Sequence, residues 1–106
     1  MPRPTFRRKH IAIGIVATIK IQPGKNAELE SVAKELMAAV RKNEPGNKYY
    51  HFFKSKTDEN TYVVMEMYED AAAVDAHRNS EHFKTLGPKM GPALAGRPDV
   101  QVFDAI

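Results

Sequence analysis

The chain has no cysteine and no tryptophan among its 106 residues. Without cysteine it cannot form disulfides, thiolate metal sites, iron–sulfur clusters or a thiol nucleophile, and a reducing compartment is allowed. It also lacks the motifs G-x-G-x-x-G, G-x-x-x-x-G-K-[ST] and G-x-S-x-G, which argues against a nucleotide cofactor and a serine nucleophile. No segment approaches the roughly 18 apolar residues of a membrane span. We therefore expect a cytoplasmic protein with no membrane partner.

Size and charge predict one small domain. A chain of 106 residues, 42% hydrophobic and 27% charged, has the composition of a single globular unit. Such a domain buries only about 60–68% of its unfolded surface, so a second copy would add stability. The chain has a net charge of +3, and four of its 16 Lys and Arg residues fall within the first nine positions. We expect a basic, disordered or neighbour-bound arm over residues 1–9 and one domain over residues 10–106, without the broad basic face that nucleic acids require.

Hydrophobic periodicity predicts the element order β-α-β-β-α-β. Alternating or apolar runs predict strands at Ile11–Ile21, Asn47–Lys56, Thr61–Glu69 and Asp99–Asp104. The apolar stripe from Leu29 to Val40 predicts the first helix, which Glu44-Pro45-Gly46 ends because a residue before proline disfavours helical angles. Asp70 is a suitable N-cap for a second helix over Ala71–Arg78, and Ser80 for a short helix after it.

This order is typical of the ferredoxin-like α+β fold, an antiparallel sheet with helices on one face. The strand Thr61–Glu69 is apolar or aromatic on both sides, so the face without helices also needs a cover. Two such faces packed together would hide each other, and we expect a homodimer formed through the sheet face.

Two residues are the candidate catalytic groups. His77 shares the inward helix face of Ala73 and Val74, where an imidazole can exchange a proton near neutral pH, although a structural core histidine is an equally open interpretation. Glu66 lies between two methionines in a strand and could pair with His77. An ordinary structural ion pair, or exposure at the sheet rim, would also account for Glu66.

The hairpin is rich in aromatic side chains, namely Tyr49, Tyr50, His51, Phe52, Phe53 and Tyr68. Aromatic walls suit a flat ring ligand, and core or dimer packing is the alternative. The basic and aromatic stretch around them lacks the RNP1 pattern, so no nucleic acid is expected. His77 and His82 are five residues apart, which is not the helical spacing that brings two ligands together, so no metal is expected.

Four segments, in order and spacing, resemble the antibiotic-biosynthesis monooxygenase domain. They are Glu44-Pro45-Gly46, Tyr50, Glu66-Met67-Tyr68-Glu69-Asp70 and the A-H-x-x-S-x-H-F motif over Ala76–Phe83. The resemblance extends from about Ile11 to Ile106 and implies a dimeric α+β barrel. It also implies oxidation of phenols, hydroquinones or polycyclic aromatics to quinones by molecular oxygen, with no metal, flavin or haem cofactor.

The resemblance also implies roles for individual residues. His77 would accept or relay a phenolic proton, Glu66 would orient His77 or the substrate, and Tyr50 and Tyr68 would wall the ring. His82 and Phe83 of the last motif are further substrate-binding candidates. A non-catalytic dimeric barrel that binds a ligand or serves a stress response is the alternative. Haem degradation is less favoured, because Tyr68 replaces a frequent Trp and Ala17 replaces an Asn of the haem-degrading branch.

Overall fold

The computed structural model describes residues 11–106 and contains one antiparallel sheet with helices packed on one of its faces. The predicted arm, residues 1–9, lies outside the described residues. The elements are β1 (Ile13–Lys20), α1 (Asn26–Asn43), β2 (Asn47–Lys54), β3 (Thr61–Tyr68), α2 (Ala71–Arg78), α3 (Glu81–Leu86), a 3₁₀ segment (Gly87–Ala93) and β4 (Asp99–Asp104). The strands are ordered β2-β3-β1-β4, which confirms the predicted ferredoxin-like α+β fold.

The helix-facing side of the sheet forms the core. Alternation along β1 buries Ile15, Ala17 and Ile19 on this side. Their cross-strand partners on β3 are Glu66, Val64 and Tyr62, so the same face carries a carboxyl group among apolar side chains. The stripe of α1 packs against this surface through Leu29, Val32, Ala33, Leu36 and Val40. The amphipathic pattern of α1 thus turns its apolar side towards the core.

The second helical region is two helices with separate N-caps. Asp70 accepts a hydrogen bond from the backbone N–H of Ala73 at 2.9 Å and begins α2. Ser80 Oγ accepts from the N–H of Phe83 at 3.2 Å and donates to the carbonyl of His77 at 2.7 Å. These bonds satisfy groups at both helix ends and set the direction change between α2 and α3.

The other face of the sheet is apolar and uncovered within the described chain. Tyr49, Phe53, Met65, Met67 and Phe103 are each between 39% and 51% exposed. The register places them on one side, because Tyr49 pairs with Met67, and Gly14 pairs with both Met67 and Phe103. We call these five residues the outer apolar face. The prediction that β3 is apolar or aromatic on both sides is therefore confirmed.

Candidate active site

A cavity of about 550 Å³ lies between the sheet and the helices α2 and α3. Its lining is mostly apolar, and its aromatic members are Tyr50, Phe52 and Phe83. Its ionisable members besides Tyr50 are Glu66, His77 and Arg78. The volume falls within the roughly 300–1,000 Å³ of small-molecule sites, and apolar walls with a few converging polar groups are typical of such sites.

His77 combines burial with a fixed ring orientation. Its residue surface is only 4% exposed, and Nδ1 lies 2.9 Å and 3.1 Å from the two carboxylate oxygens of Glu44. Because an ionised carboxylate only accepts hydrogen bonds, Nδ1 carries the proton and donates it. The ring nitrogen Nε2 of His77 is then the one that can accept a proton from a ligand in the cavity. The suggested pairing of His77 with Glu66 is wrong, since the partner of Nδ1 is Glu44.

Glu44 is the functional residue that sequence reasoning missed. It is the C-cap of α1, where its N–H donates to the carbonyl of Val40 at 3.0 Å, and Pro45 prevents the helix from continuing. A Cβ atom at Gly46 would lie 2.7 Å from the Cβ of Ala73, so only glycine lets this turn pack so closely on α2. The signal was present in Glu44-Pro45-Gly46, which we interpreted as the end of a helix and as part of the family resemblance, without assigning a role to Glu44.

His82 lies on the other side of Glu44. Its Nε2 makes a short contact with Glu44 Oε2, the oxygen that His77 also approaches most closely. The argument that residues five apart do not converge is wrong, because His77 and His82 belong to separate helices that meet at Ser80. Glu44, His77 and His82 thus each offer an atom that could bind a metal ion, and these three atoms lie within 4.8 Å of one another. Both imidazoles already hydrogen-bond the carboxylate, and a metal ion would have to replace both bonds.

Glu66 and Tyr68 form a second polar pair next to the cavity. Tyr68 Oη donates to Glu66 Oε1 at 2.7 Å. Burial raises the pKa of Glu66, although the hydrogen bond from Tyr68 opposes this rise. Burial, followed by the neighbouring Glu66 charge, likewise raises the pKa of Tyr50 and of Tyr68. Both tyrosines are therefore neutral phenols, and Glu66 is biased towards its protonated form.

Aromatic rings surround the imidazole of His77. Its ring centroid lies 5.3 Å from that of Tyr50, 5.5 Å from that of Tyr68 and 4.6 Å from that of Phe83. Tyr50 and Phe83 also line the cavity, whereas Tyr68 is fully buried behind Glu66. Of the site residues predicted from the sequence, Glu66, Tyr50, His77 and Phe83 thus meet at the cavity, and His82 lies outside its lining.

The sequence profile of the family described as antibiotic biosynthesis monooxygenase matches residues 12–87. The chain belongs to this family. The candidate monooxygenase YcnE of Bacillus subtilis (strain 168) is 35% identical over 88 residues, which cover 83% of this chain and 92% of YcnE. The family resemblance found in the sequence is thereby confirmed.

Solved structures agree with the assignment of this chain to the antibiotic biosynthesis monooxygenase family. The crystal structure of a candidate antibiotic biosynthesis monooxygenase from Caulobacter crescentus CB15 superimposes with a TM-score of 0.88 at 43% identity, covering 92% of both chains. A further structure of an antibiotic biosynthesis monooxygenase gives 0.82 at 28% identity, covering 89% of this chain and 98% of the other. No helix among residues 11–106 is long and apolar enough to cross a membrane.

Proposed function

We propose that this protein is a cofactor-independent monooxygenase that oxidises a small phenol or hydroquinone to a quinone with molecular oxygen. The observation that carries the proposal is a buried histidine facing an aromatic cavity of about 550 Å³ while a buried carboxylate holds its Nδ1. This arrangement fixes the tautomer whose Nε2 accepts protons, which is what general-base catalysis on a phenol requires.

His77 begins the proposed reaction as the general base. The phenolic O–H bond breaks, its proton passes to Nε2 of His77, and the electron pair stays on the phenolate oxygen. The cavity also contains Arg78, whose positive charge favours the anion. The electron-rich phenolate then reduces oxygen directly, and a proton completes a hydroperoxide on the ring. Loss of water leaves a quinone, with one oxygen atom from O₂ in the product and the other in water.

The remaining polar groups suit a neutral, ring-shaped substrate. Tyr50 stays a phenol because its pKa is raised, so it presents an O–H and a ring face to the ligand without adding charge. Glu66 has a raised pKa and is held by Tyr68, and in its protonated form it can donate a hydrogen bond to a substrate oxygen. Tyr68 therefore acts on the substrate through Glu66, as a positioning residue.

The outer apolar face supports a homodimer as the working form. Five large apolar side chains on one flat surface are more than an isolated small domain normally exposes together. A second sheet packed about 10 Å away would bury them, and a two-fold axis would let each copy use the same patch. Association through this face leaves the cavity on the helix side of each copy available to substrate.

The direct test is oxygen uptake and quinone absorbance for chelator-treated protein with a panel of hydroquinones, catechols and hydroxylated polycyclic aromatics. We expect turnover without added metal or flavin, and with ¹⁸O₂ we expect one labelled oxygen atom per quinone. Tight binding of these aromatics without oxygen uptake would contradict the proposal and favour a ligand-binding barrel.

A further inference from the structure

We propose that His77, Glu44 and His82 form a relay in which protonation of His77 at the cavity is coupled, through Glu44, to release of a proton from His82 to solvent. We call these three residues the relay. The inference rests on the proposed function, because the proton to be moved is the one that the substrate loses to His77. It adds a role for Glu44 and His82 that substrate binding in the cavity does not supply.

The relay is continuous from the cavity to two grooves at the surface. His77 lines the cavity, and its Nδ1 bonds Glu44 Oε2 at 2.9 Å. The same oxygen contacts Nε2 of His82. His82 lines two open grooves on the outside of the helices, of about 310 Å³ and 630 Å³, and Glu44 lines the smaller of them. One hydrogen bond therefore separates the cavity from the smaller groove, and two separate it from the larger one.

The local backbone is arranged to hold this path in place. Ser80 caps α3 and also bonds the carbonyl of His77, so the two histidines are fixed relative to each other. Gly46 allows the turn that carries Glu44 to rest on α2. Side chains from three separate elements thus meet at one oxygen atom.

Burial favours one positive charge on the relay. The side chains of Glu44 and His77 are 6% and 5% exposed, and a carboxylate so buried is stabilised by one imidazolium. The side chain of His82 is 13% exposed and therefore loses less hydration when charged. In this relay the resting positive charge is therefore assigned to His82, the more exposed ring, and His77 is the base.

The other groups around His77 do not compete for this role. From the sheet it faces Tyr50 and Tyr68, which are neutral phenols, and Glu66, whose pKa is raised by burial. Arg78 on its own helix adds a positive charge at the cavity, which disfavours a second cation there. Glu44 is thus the carboxylate that bonds the imidazole of His77 directly.

Proton transfer then proceeds with its charge balanced. When Nε2 of His77 takes the substrate proton, His77 becomes the imidazolium and His82 releases a proton from Nδ1 to water. When Nε2 of His77 later gives its proton to the peroxide oxygen, Nδ1 of His82 takes a proton back from water and the resting state is restored. Glu44 keeps an N–H donor from each ring throughout, and the relay holds one imidazolium before and after. One proton enters, one leaves, and no electrons are transferred in this step.

The experiment uses His82→Gln, in which an amide N–H still reaches Glu44 but carries no charge. Nitrogen-15 NMR of the imidazoles needs no substrate. At pH 7 we expect wild-type His82 to be charged and His77 neutral with its proton on Nδ1. In His82→Gln the charge should move to His77, while the signals of His51, which is bonded by Arg41 at 2.9 Å, should not change. A His77 signal unaffected by His82→Gln would overturn the relay.

Turnover provides the second readout on chelator-treated protein. We expect kcat of His82→Ala to fall about tenfold or more with KM little changed, and external imidazole to restore it. A loss that imidazole does not restore would mean a structural role for His82, and metal retained in stoichiometric amount by these three side chains would also overturn the relay. If no compound in the panel is oxidised by the wild type, the proposed function fails, while the NMR signals still decide the relay.

Discussion

The two faces of this sheet are built on opposite principles. On the helix side, Glu44, His77 and Tyr68 are buried and Glu66 is partly buried, and each finds a partner within the chain. On the outer side, the large side chains are apolar and about half exposed. Buried polar groups are costly unless bonded and are well placed for chemistry, whereas exposed apolar area favours association. The comparison assigns reactivity to one face and assembly to the other.

The largest expected difference in turnover is between removing a histidine on the helix side and removing one on β2. His77→Ala should lower turnover about 10²- to 10⁴-fold, because the cavity then lacks its general base. His51→Ala removes a histidine at β2 that does not line the cavity, and its turnover should stay within about twofold of the wild type. Steady-state oxygen uptake measures both. Equal losses in the two variants, or none in a folded His77→Ala, would contradict the assignment of reactivity to the helix side.

A charge on the outer apolar face should separate the protomers. Met67→Lys places an ammonium group in the middle of the surface that we expect to be buried, and we expect the dimer dissociation constant to rise about 100-fold or more. Thr57→Lys adds the same charge in the exposed β2–β3 turn and should leave the dimer intact. Sedimentation equilibrium measures both. A wild-type protein that is monomeric at high concentration would contradict the assignment of assembly to the outer apolar face.

Filling the space at Gly46 should weaken the helix side by its packing alone. Gly46→Ala puts a methyl group 2.7 Å from the Cβ of Ala73, and we expect it to cost about 1–3 kcal/mol of unfolding free energy. Gly96→Ala is the control, because no atom lies within 4 Å of its added Cβ. Ala73→Gly should recover much of the loss in the double variant. Urea unfolding measures these differences, and equal effects at the two glycines would refute the packing argument.

The smallest expected effect concerns the charge of Glu66. Its pKa is raised in the folded protein, so the folded state holds this proton more tightly than the unfolded chain. The associated stability is present at low pH and is lost as the pH rises through the folded value. Glu66→Gln should therefore raise Tm by about a few degrees at pH 7, and by less below about pH 4. Glu35→Gln on the exposed side of α1 should show no such trend, and a pH-independent difference for Glu66→Gln would contradict the pKa direction.

Much of the helix side was predictable because its signals are local. Alternation identified the strands, a stripe of period 3.6 identified α1, and Asp70 and Ser80 were recognised as N-caps. The same periodicity placed His77 inward beside Val74, where the structure has it buried. Three of the strands are shorter than predicted, since β1 begins at Ile13, β2 ends at Lys54 and β3 ends at Tyr68, whereas β4 has the predicted bounds. Strand ends depend on the pairing of neighbouring strands, which one segment alone does not reveal.

The partners of the site residues were the part that local signals missed. Glu44 lies 33 residues before His77 and 38 before His82, so no pattern of short period connects them. The spacing of His77 and His82 misled for a related reason: it was judged as a spacing within one helix, although Ser80 was correctly expected to begin a second helix between them.

The sequence by itself determined the element order, the two-sided character of β3, the inward position of His77 and the family. Each of these depends on residue type and spacing along a few turns or one strand. The tertiary structure decided that Glu44 is the partner of His77, that Tyr68 holds Glu66 and that a cavity remains between the sheet and α2 and α3. Those contacts form only when distant segments pack together, and packing is a property of the whole chain.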